Sequence, residues 1–413
     1  MQKSKYNSER NKELLGNVVI ITSVPFPNGF APSSRILAYA KGFAENNYNC
    51  EVIVIKPNKD RLNRGFETEG FYEGVKYKFP GNIIIPSDKN ILIRQIQYQY
   101  SVIKSLVWIV YNYVIKKKSN IIIYYGTDLF VELQLITLCY LFNVVILKEQ
   151  SEKPFLYNSF KLLPKKIVKF LYVKFIFKGY SGVLAMTQPI RTYFNAIGVS
   201  LDKIVIINHT VNLDSYDFTL ENNFKPYFAY TGGLNEKKDG VLSLLEALAI
   251  VKSKYSEIKL KVAGFGSVSD VKLFKDKIED LGVEKNVDYL GSIQSGDAIK
   301  LIQNATGLMS LRPNSIQARY GFPTKIVEYL GTGNPIITTI TGDLRFFLIN
   351  NENSFTTVPG DIEGFAKQWI TVLRDLDNAK MVGAQGKQLV MDSFNPKGQT
   401  KKIITYYMNL KQY

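Results

Sequence analysis

The sequence predicts an α/β protein built from two doubly wound, mostly parallel sheets. Three observations carry that expectation. Short Val- and Ile-rich runs alternate with longer amphipathic stretches from end to end. The runs are nearly continuous in hydrophobicity, as strands covered on both faces are. The alternation occurs twice, on either side of a polar, aperiodic stretch at 212–227 that contains Lys225-Pro226. A chain of 413 residues also exceeds one ordinary core and suits two domains.

In the first half, strands are expected at 17–23, 51–56, 120–124, 143–147, 182–186 and 203–207. Helices are expected at 34–46 and 129–142. In the second half, strands are expected at 227–231, 259–263, 287–290, 307–311 and 335–339. Helices there fall at 241–254, 270–281, 295–303 and 324–331, and one more closes the chain at 396–410. Strand–helix alternation implies right-handed crossovers and ligand sites at the carboxyl ends of the strands. The resulting division is a basic polar tail at 1–16, domains at 17–215 and 216–395, and a terminal helix at 396–413.

Composition narrows the function classes. Hydrophobic residues make up 46% and charged residues 21%, which is globular rather than disordered. The two cysteines, Cys50 and Cys139, lie far apart and form neither a disulfide framework nor a zinc pattern, so a reducing cytoplasm is expected. The polar N-terminus does not read as a secretory signal, and no apolar run is long enough to span a bilayer. The net charge is +16. Residues 1–215 hold 28 Lys and Arg against 15 Asp and Glu, so most of the surplus sits in the first half. A codon bias toward Lys, Asn and Ile raises overall charge, but it explains the asymmetry less well than a polyanionic neighbour does.

Four loops after expected strands stand out. Thr231-Gly232-Gly233-Leu234-Asn235-Glu236-Lys237-Lys238-Asp239-Gly240 offers glycines for close backbone approach, with Lys237 and Lys238 to neutralise a diphosphate. An ordinary tight turn reads the same way. Ala263-Gly264-Phe265-Gly266 is a second glycine pair of equally low specificity. Ser310-Leu311-Arg312-Pro313 ends a strand and presents Arg312, as a ligand group or as a solvated charge. The most specific pattern runs from Arg319-Tyr320-Gly321-Phe322-Pro323-Thr324-Lys325-Ile326-Val327-Glu328 to Gly333-Asn334-Pro335. Pro323 suits the first turn of a helix, whose free N–H groups and dipole attract an anion. Lys325 adds a cation, and Glu328, one turn on, can accept from adjacent ribose hydroxyls.

This last segment resembles the donor signature of retaining glycosyltransferases of the GT-B fold, especially glycosyltransferase family 4. The closest variant has the form Gly-Phe-Pro-x-Lys-x-x-Glu-Tyr-Leu-x-x-Gly-x-Pro-Ile, seen in bacterial enzymes that assemble surface polysaccharides. Tyr230 to Leu234 with Lys238 resembles the family's first donor loop, Ala263 to Gly266 the second, and Tyr289-Leu290-Gly291 the third. Residues 206–212 stand where the family closes its N-terminal domain. The resemblance covers roughly residues 17–395 and is looser in the first half. It implies two Rossmann-like domains facing across a cleft, with the C-terminal helix packing back on the N-terminal domain. It also implies a UDP- or GDP-sugar as donor, retention of configuration, and Gly232, Gly233, Lys237, Lys238, Gly264, Arg312, Phe322, Pro323, Thr324, Lys325 and Glu328 as donor-binding residues. Two departures matter. Tyr320 stands where the family has a second glutamate, eight positions before Glu328, and Gly233 replaces its usual arginine.

In the acceptor half, the loop 25–35 resembles the family's first glycine-containing loop, in which Gly29 and Arg35 would face phosphates and acceptor. A plain Pro/Gly loop with a surface arginine fits as well. Glu149, in Lys148-Glu149-Gln150-Ser151-Glu152, is a candidate to orient the acceptor hydroxyl, against the alternative of a solvated loop acid. Glu149 and Tyr320 are the catalytic candidates. His209 is the single histidine, no Asp-x-Asp motif occurs in a suitable loop, and a metal-independent reaction without a cofactor is expected, with lysines and helix dipoles stabilising the leaving diphosphate. Segments 91–118 and 161–178 mix lysines with large apolar residues. Either they lie at an anionic membrane interface, suiting a lipid-diphosphate acceptor, or they bury one face and solvate the lysines. The expected partners are therefore a nucleotide-sugar, a glycan or lipid-linked acceptor and a membrane surface on the cytoplasmic side, and not nucleic acid. A sugar-nucleotide epimerase of the same fold and a non-enzymatic basic membrane or nucleic-acid module are the competing readings.

Overall fold

The computed structural model describes residues 14–27, 31–55, 67–81, 90–116, 118–153, 167, 170, 172–211 and 226–411. The chain forms two compact units. One comprises Met1–Met186, Ile190–Thr210 and Pro396–Tyr413; the other comprises Thr187–Pro189 and Val211–Asn395.

The first unit holds an eight-stranded sheet. Its strands are β1 (Gly16–Thr22), β2 (Tyr48–Val54), β3 (Glu69–Tyr72), β4 (Val75–Lys78), β5 (Ile121–Tyr125), β6 (Ile146–Gln150), β7 (Gly182–Ala185) and β8 (Ile204–Ile206), in the order β3-β4-β2-β1-β5-β6-β7-β8. The central strands are buried on both faces: Val18 to Thr22 of β1 are all inaccessible. Pairing is parallel throughout except at β3–β4. There Glu73 and Gly74 take positive φ (46° and 80°), which closes a two-residue hairpin that the sequence reading did not anticipate. The longer described helices are α1 (Ala31–Glu45), α2 (Ile91–Ile109, continued by a π-helical segment Val110–Ile115), α3 (Leu129–Leu141) and α4 (Gln188–Ala196). Asn90 and Asp128 cap α2 and α3. The core packs Ile36, Tyr39 and Phe43 of α1 against Val18, Ile20 and Val52.

The second unit is a six-stranded parallel sheet, β9 (Phe228–Gly233), β10 (Leu260–Phe265), β11 (Val287–Gly291), β12 (Gly307–Ser310), β13 (Ile336–Thr339) and β14 (Phe355–Thr357), ordered β11-β10-β9-β12-β13-β14. Around it stand α5 (Glu236–Asp239), α6 (Val241–Lys252), α7 (Val268–Asp280), α8 (Ser295–Gln303), α9 (Ile316–Tyr320), α10 (Thr324–Thr332), α11 (Ile362–Arg374) and α12 (Leu376–Ser393). Trp369 of α11 anchors the core, its ring 5.0 Å from Phe228. The last helix, α13 (Pro396–Lys411), belongs to the first unit. It packs on α1 so closely that a Cβ at Gly42 would stand 2.4 Å from the Pro396 carbonyl oxygen. Asn46 Nδ2 ties the same contact by donating to Lys397 O at 2.8 Å.

One boundary changes the chemistry. The strand expected at 143–147 runs instead from Ile146 to Gln150, so Lys148 and Glu149 lie inside β6 rather than in the loop after it. The apolar count favoured the earlier window. Register decides otherwise, pairing Lys148 with Tyr124 on one side and Glu149 with Leu184 on the other.

Candidate functional site

The second unit gathers its polar groups at the carboxyl ends of β9 and β12 and at the start of α10. At the end of β9, Gly232 has φ 145° and Gly233 follows it. A Cβ at Gly232 would lie 2.3 Å from Lys325 Nζ, and one at Gly233 would lie 2.5 Å from Asp239 Oδ2. These two glycines therefore let a lysine from α10 and a carboxylate from α5 reach the strand end. Lys325 Nζ donates to Tyr230 Oη at 3.1 Å, sits 4.3 Å from the centre of that ring, and stands 3.6 Å from Asp239 Oδ1. Arg312 is buried beside them, its Nε 3.5 Å from the Lys238 carbonyl, and Thr339 clamps its backbone. Tyr329 Oη accepts the Thr231 N–H at 2.7 Å, which pins β9 to α10.

The charge balance is uneven. Burial pushes the Lys325 ammonium down to about 8, with Arg312 and Lys238 adding to the shift and Asp239 opposing it. Burial pushes Glu328 up to about 7, with Lys325 opposing. Lys237 and Lys238 are exposed on α5.

The helix starts are also unequal. Glu236 Oε2 accepts the Leu242 N–H at 2.6 Å, which serves the first turn of α6. A Ser267–Asp270 capping box closes α7. α10 begins at Pro323 with no side-chain cap. No side chain caps its N-terminal N–H groups, which leaves that end open to an outside anion; α8, after Gln294, is likewise uncapped but lies after β11.

The structure places the other expected site residues as follows. Phe322 is buried in an aromatic cluster, its ring 5.5 Å from that of Phe394, which anchors the loop. The room left by Gly264 is filled by Leu234, whose Cδ2 would lie 2.7 Å from an added Cβ. Pro323 is the N-cap of α10, one residue before the helix begins, and Thr324 is its half-buried first residue. Tyr320 ends α9, half-buried, and lines a cavity of about 380 Å³ with Asn314, Arg319, Thr341 and Arg345.

In the first unit, Arg35 and Glu149 meet, but as a buried pair. Arg35 Nε binds Glu149 Oε1 at 2.7 Å with side-chain exposures of 1% and 0%. Its other nitrogens donate to the Ile207 and Asn208 carbonyls at 2.9 and 3.0 Å. Ser151 Oγ donates to Glu149 at 2.8 Å. Neither residue is a surface group, because the protein itself supplies every partner of the guanidinium. Burial and the neighbouring Arg35 push His209 down to about 3, so it is neutral at physiological pH. Gly29 and half of the segment 161–178 lie outside the described residues. Among the described residues no group of three or more His, Cys, Asp or Glu is placed to hold a metal, and no helix is long and apolar enough to cross a membrane.

Sequence reasoning missed Asp239, Tyr230 and Tyr329 as parts of the site. Asp239 was visible as a carboxylate directly after two lysines and before the glycine that ends α5. Tyr230 and Tyr329 gave no signal apart from adjacency to motif residues.

Comparison with known proteins agrees with this geometry. Residues 216–389, less than half of the chain, match the family model described as glycosyl transferases group 1. Over its whole length the chain is similar to a glycosyltransferase from Rickettsia africae (18% identity, TM-score 0.70, covering 96% of this chain and 99% of that one). It is likewise similar to sucrose-phosphate synthase from Thermosynechococcus elongatus (14%, TM-score 0.70, 96% and 99%). A third is HepE of Anabaena, solved in complex with UDP-glucose (16%, TM-score 0.63, 95% and 100%). A curated relative of another kind is a transposase for an insertion sequence of Clostridium perfringens, 28% identical over 193 residues; the match covers 45% of this chain and spans 38% of that protein's length. Residues 216–389 therefore match the glycosyl transferases group 1 model, and the chain shares the GT-B fold of these solved glycosyltransferases.

Proposed function

We propose that this protein transfers a sugar from a nucleotide-diphosphate donor, a UDP- or GDP-sugar, to a glycan or lipid-linked acceptor. We further propose that configuration is retained and that the reaction serves bacterial surface-polysaccharide assembly on the cytoplasmic side of the membrane. The observation that carries the donor reading is the meeting of the uncapped α10 start with Gly232 through Lys325. The diphosphate would take the N–H groups at that helix start and displace Lys325 from Asp239 and Tyr230. Glu328, one turn into α10, would accept from the ribose hydroxyls. Arg312 would hold the local potential positive as negative charge develops on the leaving diphosphate. Tyr320 would offer the donor sugar a hydroxyl where a carboxylate is usual. The buried Glu149 would act by fixing the acceptor loop. No metal or cofactor is needed in this scheme, because cations and a helix dipole serve the leaving group.

The solved HepE complex makes UDP the first donor nucleotide to test. Thermal unfolding with UDP, GDP, ADP and CMP at millimolar concentration should single out one nucleotide that raises the midpoint by mass action. If none does, the transferase reading fails. The transposase match and the basic first half favour a second reading, a nucleic-acid binder. That reading requires affinity for DNA that falls steeply with salt, and it leaves the α10 site without a purpose.

A further inference from the structure

The helix α2 is apolar on both faces. Its inner face, with the π-helical continuation, buries Val102, Leu106, Ile109, Tyr113 and Val114 together with Ser101, Ser105 and Asn112. The small Ser101 and Ser105 meet the loop at Gly81, where an added Cβ would collide with both hydroxyls. The outer face carries Leu92, Ile96, Tyr100, Ile103, Val107 and Tyr111, each at least half exposed. At 3.6 residues per turn the first five of these fall within about 80° of one another, a continuous stripe along a helix of roughly 35 Å. With Ile93 and Ile115 the stripe exposes on the order of 900 Å² of side chain, against the ~300–600 Å² of the largest apolar patch on a typical monomer. A surface helix of a soluble protein turns a polar face outward.

The flanks say what covers it. From Lys89 to Thr127 the sequence contains no Asp or Glu, while Arg94, Lys104, Lys116, Lys117 and Lys118 supply five cations within the helix and its end. Lys104, Lys116 and Lys118 are exposed. A second copy of the chain would bring this basic surface against itself in a two-fold contact. A bilayer with anionic headgroups accepts both features, apolar side chains below the headgroups and lysines among them. Tyr100 and Tyr111 suit the headgroup level, each with an apolar ring and a polar tip. Near the start of the helix Tyr98 Oη donates to Asp128 Oδ2 at 3.4 Å, in the loop that follows β5. The stripe thus starts at the carboxyl edge of this unit's sheet, where ligands bind in such folds.

We propose that the outer face of α2 is a docking surface for an anionic lipid bilayer, and that it lays the carboxyl edge of the first unit's sheet against the headgroups. The proposal stands independently of the donor reading, since it concerns a different unit and a binding event without chemistry. Its test is sedimentation of the full-length protein with phosphatidylcholine vesicles, with and without phosphatidylglycerol, at low ionic strength. Binding is expected on the anionic vesicles and should weaken with salt. The variant Ile96→Gln/Ile103→Gln/Val107→Gln should bind at least about tenfold more weakly, with its unfolding midpoint and its response to nucleotides unchanged. Lys104→Glu/Lys116→Glu should lose about fivefold per lysine on anionic vesicles alone. Three results would each overturn the proposal: no wild-type binding to anionic vesicles, equal binding by the triple glutamine variant, or a concentration-dependent wild-type dimer that this variant abolishes.

Discussion

Each unit keeps charged residues at the carboxyl edge of its sheet, but the two sets are balanced differently. Among the described residues of the first unit every buried charge has its opposite: Arg35 with Glu149, and Lys148 with Glu132 at 2.7 Å. Backbone carbonyls take two more donors of Arg35. In the second unit Lys325, Arg312 and Lys238 gather around Asp239, and Lys325 loses basicity chiefly through burial, with the two neighbouring cations adding to the shift. A set that is already neutral holds the protein together. A set with surplus cations beside an uncapped helix start suits the anion proposed to arrive from outside.

The largest expected effects lie in the first unit and concern stability. Arg35→Ala or Glu149→Ala leaves an uncompensated buried charge and should lower unfolding free energy by about 3–5 kcal/mol in urea titrations. Arg35→Met/Glu149→Leu should recover most of that loss. If Arg35→Ala costs under ~1 kcal/mol, the pair is not structural and the contrast collapses. Next in size is Lys325→Met. It should weaken nucleoside diphosphate binding by about 1.5–3 kcal/mol, roughly 10- to 150-fold, by calorimetry. It should leave stability equal or better, because a desolvated cation is removed. A stability loss without an affinity loss would place Lys325 with the first kind of charge.

A smaller effect should follow pH. Affinity for the nucleotide should rise as pH passes about 7, where Glu328 ionises and becomes an acceptor only, and fall above about 8, where Lys325 loses its proton. Glu328→Gln should remove the lower limb and keep the upper one. The stability sign is opposite to that of a paired carboxylate. Glu328 is raised from 4.5 to about 7, so its ionisation disfavours the folded state. The penalty grows between those values and is complete above the upper one. Glu328→Gln should therefore stabilise the apo protein by about 1–2 kcal/mol at pH 8, allowing for partial exposure, and by almost nothing at pH 4.

The alternation of buried strands and helices was legible because parallel strands covered on both faces need nearly unbroken Val and Ile, and the second half shows that from Phe228 to Thr339. The α10 segment was legible because Pro323, Lys325 and Glu328 each do a local job at a helix start. The hairpin at Glu73-Gly74 was hidden by strands of four residues, and β6 was displaced because Lys148 and Glu149 read as loop until their partners, Glu132 and Arg35, are known. Those partners lie 16 and 114 residues away, beyond any periodicity. Asp239 and Tyr230 belong to the same class, since only folding brings them to Lys325. The sequence also showed the basic, apolar character of 91–118, but which way each side of α2 faces depends on packing against Gly81.

The smallest expected effect tests whether exposure or charge decides which lysines matter. Lys237 sits in the glycine loop that first suggested a diphosphate site, yet it is exposed on α5. An exposed pair contributes about 0–1 kcal/mol and is screened over ~8–10 Å at ordinary ionic strength. Lys237→Ala should then reduce nucleotide affinity by about threefold or less at low salt and by nothing measurable in high salt. The loss caused by Lys325→Met should persist in high salt, because that ammonium is shielded from solvent. Were the two variants to show equal losses with equal salt dependence, the surplus charge of the second unit would act as a diffuse field. The geometry at Gly232 would then have no special part in holding the ligand.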